Sequence, residues 1–320
     1  MRIVFCGTPS FAVPTLKHLL VQSDFEIVGV ITQPDRPRGR GQKVSFSPVK
    51  VAALAANVAV HQPEKIRAAE TVALLQTLSP DCVVIIAYGQ IIPARLLPIP
   101  KLGWINLHAS LLPKYRGAAP INWAIVNGET RTGVTTMRID AGMDTGEMLL
   151  RREIEIGTKE TAPELASRLS ESGALLMAET LRGLAAGIIV PISQNDAEAS
   201  YAPMLKKEDG RIDWKRPASE IYNRMRGFAP WPGAYTTFRG QSCQVWSEPV
   251  SKEGGSGLPS SAGGAVPGTL FGEKNELFVW CGDATVLCIR VVQVEGRKAV
   301  KGSDFANGAR LKRGERFGDS

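Results

Sequence analysis

The feature that most constrains the fold is an alternation, over roughly the first hundred residues, of short apolar runs with segments of helical periodicity. Arg2 to Cys6 is a strand-like run that ends at Gly7-Thr8-Pro9, after which Phe11, Val13, Leu16, Leu19 and Leu20 recur at helical spacing. Glu26 to Thr32 reads as a second strand, Val58 to His61 as a third and Cys82 to Ala87 as a fourth, with helical segments near 48–56 and 64–78 between them. Apolar strands joined through helices imply a mostly parallel sheet covered on both faces, hence an α/β fold. In such a sheet a pocket lies beyond the carboxyl ends of the strands, which gathers Thr8 to Phe11, Tyr88 to Gln90 and His108 to Pro113 around one crevice. The first turn, GTPSFA, lacks the glycines that let a pyrophosphate approach the backbone, which argues against a nicotinamide or flavin cofactor.

Ile105, Asn106, Leu107 and His108 alternate apolar and polar, so Asn106 and His108 project from one face of a short strand. Pro113 ends that element, because proline lacks the amide proton a central strand needs. Ala118 to Val126 reads as a helix, and Gly133 to Ile139 and Glu147 to Ile156 as strands. Their connection, Asp140 to Glu147, is rich in glycine and holds two aspartates. Thr161 to Ala186 carries leucines at amphipathic spacing and is expected to pack across the sheet as one long helix. The pattern weakens from Gln194 to Arg211, which sets a boundary near 206 between a first domain, 1–205, and a second, 206–320. Beyond it a helix over 218–226 precedes short β-rich segments at 234–238, 244–246, 277–280 and 285–294, the spacing of a small antiparallel barrel. Residues 251–267 are too poor in apolar side chains to pack and read as a flexible loop.

With 44% hydrophobic and 22% charged residues, the 320-residue chain has the balance of a soluble globular protein. Its formal charge is +7, and residues 206–320 hold 18 Lys and Arg against 13 Asp and Glu, so the excess is concentrated in the second domain. Arg36, Arg38, Arg40 and Lys43 lie among three prolines and two glycines in the segment 33–50, the composition of an exposed loop. Two readings of this loop stand: a solvated surface, or an electrostatic finger toward phosphates. No run of about 18 apolar residues occurs, so no membrane contact and a cytoplasmic location are expected. Cys6, Cys82, Cys243, Cys281 and Cys288 are scattered and read as reduced, mostly buried thiols. His18, His61 and His108 are not spaced as a ligand pair, so no protein-built metal site is expected.

Acyl transfer to an amine creates an oxyanion and a positively charged nitrogen, so a site needs a donor for one and a proton acceptor for the other. Asn106 offers amide donors, His108 can donate or relay a proton, and an aspartate would orient the ring, with Asp144 preferred to Asp140. Each residue has a structural alternative, since a strand histidine is often only packed and an asparagine near a turn often bonds backbone. Neither a GxSxG elbow nor a reactive cysteine setting accompanies them, so no covalent acyl-enzyme is suggested.

The run Asn106-x-His108-x-Ser110-Leu111-Leu112-Pro113, then Tyr115-Arg116-Gly117-Ala118-Ala119-Pro120, together with Asp140-Ala-Gly-Met-Asp144-Thr-Gly, resembles the formyltransferases that use 10-formyltetrahydrofolate. GTPSFA, TQPDRPRGRG, IDW at 212–214 and FAPWPGAYT carry the resemblance over nearly the whole chain, toward the branch that formylates initiator Met-tRNA in translation initiation. The resemblance implies a Rossmann-like formyltransferase domain followed by an OB-fold-like, tRNA-binding domain, acting as a monomer without a metal. It implies direct attack of the methionyl α-amine on the formyl carbon through a tetrahedral intermediate, with Asn106, His108 and Asp144 as the catalytic trio. Ser110, Leu111, Leu112 and Pro113 match the family's folate-binding signature, and Ile86, Tyr88, Ala141 and Gly142 are expected to line the pterin slot, largely through backbone groups. Phe11 is the candidate for the methionine side chain, and Arg40, with Arg36, Arg38 and Lys43, for the tRNA. The rival readings are formylation of a small amine, such as glycinamide ribonucleotide or an amino-sugar nucleotide, and a non-catalytic RNA-binding relative. The 251–267 segment is long for the family.

Overall fold

The computed structural model describes residues 1–38, 43–250 and 266–318. Arg40 and nearly all of the 251–267 segment therefore lie outside the described residues, as do the side chains of Arg38 and Lys43.

The chain opens with β1 (Arg2–Gly7), α1 (Val13–Leu20) and β2 (Glu26–Ile31). It continues through β3 (Arg36–Arg38), β4 (Lys43–Ser45), α2 (Pro48–Ala55), β5 (Val60–His61), α3 (Ala69–Leu78) and β6 (Cys82–Ile86). Then come β7 (Trp104–His108), β8 (Arg116–Gly117), α4 (Pro120–Val126), β9 (Arg131–Arg138), β10 (Met148–Glu155), α5 (Ala162–Ala185) and β11 (Tyr201–Ala202). Seven strands form one sheet in the order β10-β9-β7-β6-β1-β2-β5. Five of them, β7 to β5 in that order, run parallel, while β9 is antiparallel to both β7 and β10. The parallel part follows from the helical crossovers, and β9 turns straight back into β10 because a short connection can join only antiparallel neighbours. Every residue of β6 and Ile3 to Gly7 of β1 is buried, as strands covered on both faces require. Helix α2 starts where Ser47 accepts a hydrogen bond from Lys50 N at 3.0 Å, with Pro48 in the first turn.

Two details depart from the sequence reading. The basic segment contains a hairpin, since β3 and β4 pair antiparallel with Arg36 opposite Ser45. The helix expected from 64 starts only at Ala69.

After β11 the chain forms α6 (Ala218–Gly227), β12 (Tyr235–Phe238), β13 (Gln241–Pro249), β14 (Leu270–Glu273), β15 (Glu276–Trp280), β16 (Val286–Val294), β17 (Val300–Lys301) and α7 (Gly302–Gly308). The six strands make one antiparallel sheet, ordered β12-β13-β16-β15-β14 with β17 on β16. Among the described residues β12 and β14 are not paired with each other, so the expected barrel is an antiparallel sheet whose ends are left unjoined. Its core gathers Trp214, Phe238, Leu277, Ile289, Phe305 and Phe317, with the Trp214 and Phe317 rings stacked 5.5 Å apart.

The chain divides into two compact units, Met1–Ile121 with Arg131–Ile156 and Glu164–Pro203, and Asn122–Thr130 with Gly157–Pro163 and Met204–Ser320. A single boundary near 206 leaves 122–130 and 157–163 in the first domain, yet both belong to the second unit. Hydrogen bonds inside that unit explain it: Asn122 Nδ2 donates to Gly227 O at 2.7 Å, and Arg226 Nη1 donates to Gly157 O and Glu160 O at 2.9 and 3.0 Å. No helix among the described residues is long and apolar enough to cross a membrane.

Candidate active site

Strand β7 carries two polar side chains, Asn106 and His108, among apolar neighbours on the same strand. Its pleat puts Asn106 and His108 on one face, paired across β9 with Met137 and Thr135. His108 is buried at 6% exposure, and its Nε2 lies 2.9 Å from Tyr115 O. A carbonyl only accepts, so Nε2 carries the hydrogen, an assignment made from the partner, and Nδ1 is the edge left over. That edge faces Asp144 Oδ2 at 3.6 Å, longer than a hydrogen bond. A proton on Nδ1 makes the approach an ion pair, and a bridging water would complete it as a relay. Asn106 is half-buried, and its amide has no hydrogen bond to another described residue, so its donors are unclaimed by the fold.

Tyr115 to Gly117 holds both partners of this arrangement. Tyr115 contributes its carbonyl to His108, and Gly117 N donates to Asp144 Oδ2 at 2.8 Å. Tyr115 (φ 60°) and Asp144 (φ 54°) occupy the left-handed region, which is uncommon for residues other than glycine. Gly117 has φ 118°, and a Cβ there would sit 2.8 Å from Ala202 O, because β8 pairs closely with β11. Asp140, the other acid of the loop, accepts from Gly142 N at 3.0 Å and from Thr145 Oγ1 at 2.9 Å, so its carboxylate closes its own turn.

The residues expected around the folate divide by role. Ser110, Leu112 and Pro113 are buried and Leu111 half-buried. Ser110 Oγ donates to Lys114 O at 2.6 Å, and Leu112 packs on Met137 and Met148. Their side chains brace the end of β7 from inside. Ile86 is fully buried, and the main chain then turns through Ala87 (φ 46°) and Gly89 (φ 91°). The Tyr88 phenol is packed in the core, and its hydroxyl has no hydrogen-bond partner among the described residues. Tyr88 O already accepts from Thr8 Oγ1 at 3.1 Å and Gln33 Nε2 at 3.0 Å, so both lone pairs of that carbonyl are engaged within the fold. Ala141 and Gly142 are exposed, and a Cβ at Gly142 would lie 2.0 Å from Thr145 Oγ1. Phe11 sits half-buried in the turn after β1, and Arg36 is exposed on β3. Neither shares a hydrogen bond with Asn106, His108 or Asp144 among the described residues.

Sequence reasoning missed four polar residues that shape the site. Thr135 accepts from Leu112 N at 3.2 Å and donates to Ser110 O at 2.7 Å. Gln33 links Tyr88 to Gln90, whose Nε2 donates to Gln33 Oε1 at 3.2 Å. Gln194 donates to Asp144 O and Gly146 O, each at 2.8 Å, and accepts from Arg116 Nε at 3.0 Å. Arg116 lay inside a recognised motif, but nothing local announces the role of Thr135, Gln33 or Gln194. Among the described residues no group of three or more His, Cys, Asp or Glu is placed to hold a metal ion.

A parallel-dominated sheet carrying an amide, an imidazole and a carboxylate, with an antiparallel sheet following in the chain, is the arrangement of one enzyme class. Residues 1–181 match the formyl transferase family and residues 204–310 its C-terminal domain, so the chain belongs to the formyl transferase family. More particularly, it is 54% identical over 320 residues to the methionyl-tRNA formyltransferase of Solibacter usitatus (strain Ellin6076), covering 100% of this chain and 99% of the relative. It is 49% identical to the methionyl-tRNA formyltransferase of Geobacter metallireducens, covering 99% of each. Among solved structures, the N-formyltransferase from Helicobacter canadensis, in complex with folinic acid and dTDP-3-aminofucose, superposes with a TM-score of 0.63 at 18% identity, over 90% of this chain and 98% of that one. The sugar 3N-formyl transferase WlaRD, crystallised with dTDP and 5-N-formyl-THF, gives a TM-score of 0.63 at 20% identity, over 93% of this chain and 99% of that one. At those identities the two structures speak to the fold.

The residues present fit a folate-borne formyl donor. An amide without a partner among the described residues suits an oxygen gaining negative charge, and Asn106 stands on the same strand face as an imidazole fixed by Tyr115 O.

Proposed function

We propose that the protein transfers the formyl group of 10-formyltetrahydrofolate to the α-amino group of methionine on initiator Met-tRNA, a step of translation initiation. The observation that carries this reading is the half-buried, unclaimed Asn106 amide beside a His108 whose Nδ1 faces Asp144 Oδ2 at 3.6 Å. The full-length likeness to proteins named methionyl-tRNA formyltransferase supports the choice of acceptor.

When bound, the folate supplies an activated formyl carbon: the amine lone pair forms the new C–N bond, the carbonyl electrons shift to oxygen, and collapse breaks the bond to the folate nitrogen, which takes up a proton. Asn106 donates to the oxygen as it becomes an oxyanion. His108, kept in one tautomer by Tyr115 O, presents Nδ1 to the reacting groups. Asp144, held by Gly117 N, stabilises the charged ring and moves the proton from the attacking ammonium toward the leaving nitrogen, directly or through water. The segment from Ile86 to Tyr88, with Ala141 and Gly142, lines the pterin slot largely through backbone groups, and Ser110 to Pro113 brace it from behind. Phe11 packs against the methionine side chain. Arg36, Arg38, Arg40 and Lys43 engage phosphates of the acceptor end, and residues 206–320 bind tRNA as the second domain. The protein works as a cytoplasmic monomer.

The deciding experiment offers purified protein 10-formyltetrahydrofolate with aminoacylated initiator Met-tRNA or with glycinamide ribonucleotide. Formyl-methionyl-tRNA is the expected product; formylation of the small amine alone overturns the reading. A second arm varies salt: Arg36→Ala combined with Arg38→Ala should weaken tRNA use and lower the slope of log KM against log salt by about 0.7–0.9 per lost phosphate contact.

A further inference from the structure

Asp144 stands on the partly exposed connection between β9 and β10. Ala141, Gly142 and Met143 are exposed, and Asp144 itself is in the left-handed region at φ 54°. Among the described residues its carboxylate has one hydrogen bond, from Gly117 N at 2.8 Å. The main chain around it is gripped from elsewhere. Gln194 Nε2 donates to Asp144 O and to Gly146 O, both at 2.8 Å, so a single amide pins the connection on either side of Thr145. That amide has its direction imposed on it: Arg116 Nε, which can only donate, lies 3.0 Å from Gln194 Oε1 and forces the NH2 group toward the two carbonyls. Arg116 is 2% exposed and is tied at its other end by Nη2 to Asp196 Oδ1 at 2.8 Å. It is also the residue between Tyr115, which orients His108, and Gly117, which holds Asp144.

We propose that Gln194, with its amide oriented by Arg116, is a positioning residue that keeps the Asp144 carboxylate on His108. Arg116 thereby links the segment that orients the imidazole to the segment that carries the acid, so one buried guanidinium registers both halves of the pair. This rests on the reading that Asp144 acts in formyl transfer.

The test uses the full chain with Gln194→Met, which keeps the length of the side chain and removes its donors. Expected is a fall in kcat for formyl transfer of about 10- to 100-fold, with KM for the formyl donor and for Met-tRNA unchanged within about 2-fold. In an Asp144→Asn background the same substitution should change the residual rate by less than about 3-fold, because the group it positions is already disabled. Gln194→Glu, which still accepts from Arg116 but cannot donate to the two carbonyls, should repeat the result and carries the test if the methionine variant does not fold. A raised KM with unchanged kcat, or an equal fold-loss in the Asp144→Asn background, overturns the proposal and leaves Gln194 a packing residue. Near-normal turnover of Asp144→Asn alone overturns the role of Asp144 and this proposal with it; loss in Asp144→Asn beside full activity in Gln194→Met overturns the positioning role alone.

Discussion

Asn106 and Gly117 bring opposite things to the site, one a side chain the fold leaves unused and the other the absence of a side chain. An amide donor that meets no acceptor among the described residues is available to a developing oxyanion at no reorganisation cost, so Asn106→Ala should lower kcat by about 10²-fold or more with the thermal midpoint nearly unchanged. His108→Ala should do the same; a folded variant of either with near-normal turnover removes that residue from the mechanism. Gly117→Ala acts through the backbone. With φ 118° and Ala202 O only 2.8 Å from the new Cβ, β8 must move from β11 and withdraw the Gly117 amide from Asp144. The expected cost is about 1–3 kcal/mol in urea unfolding, accompanied by a loss of kcat. Asn106 and His108 were legible as a pair because strand periodicity is local. The choice of Asp144 over Asp140 was legible mainly through family resemblance, since both acids share one short connection.

At the scale of elements, β9 does more than extend the sheet. Thr135, fully buried, holds both Ser110 O and Leu112 N, so one hydroxyl fastens the turn behind His108 to the next strand. Thr135→Val keeps the shape and strands both backbone groups, for an expected destabilisation of about 1–3 kcal/mol, measured by denaturant unfolding. The basic hairpin β3–β4 is anchored at its base by Asp35, which pairs with Lys50 and accepts from Gln62 Nε2 at 3.0 Å. Lys50 first, and Gln62 second, hold the Asp35 carboxyl below its ordinary value of 3.8. A depressed acid contributes stability that is present above its ordinary value and lost as pH falls through the lowered one. The anchor should therefore persist at neutral pH and fail only in strong acid. Lys50→Met should move the Asp35 titration upward, as read from its carboxyl carbon shift by NMR; an unmoved titration would show that Lys50 does not hold it. The hairpin was not legible, because prolines and glycines in the segment mask the short antiparallel pairing.

For the molecule as a whole, the five cysteines are buried and free, divided between the two units. Burial is the first cause in every case: it pushes the Cys288 thiol up to about 11, Cys281 up to about 12, and raises Cys6, Cys82 and Cys243 as well. All five therefore stay protonated at neutral pH, and a thiol-reactive dye should label the native protein at least about 10²-fold more slowly than the denatured chain. Fast labelling of even one equivalent would contradict this burial. Above the ordinary thiol value of 9.0 the unfolded chain gains by ionising and the folded chain does not, so stability should decline as pH rises beyond it.

Residue pattern alone dictates the strand and helix succession of the parallel half, the long helix at Ala162–Ala185, the β-rich second half, and the shared face of Asn106 and His108. Those are consequences of periodicities that operate within a few residues. The folded arrangement is what brings β9 back antiparallel beside β7, sets Tyr115 O against the His108 ring, and has Gln194 and Arg116 hold the main chain at Asp144. Hydrogen-bond partners such as Gln194 and Asp144 lie 50 residues apart, and no local pattern encodes which distant donor the topology will bring to a buried carbonyl. A backbone carbonyl drawn partly out of water needs a donor in its place, and the path of the chain settles which one it meets.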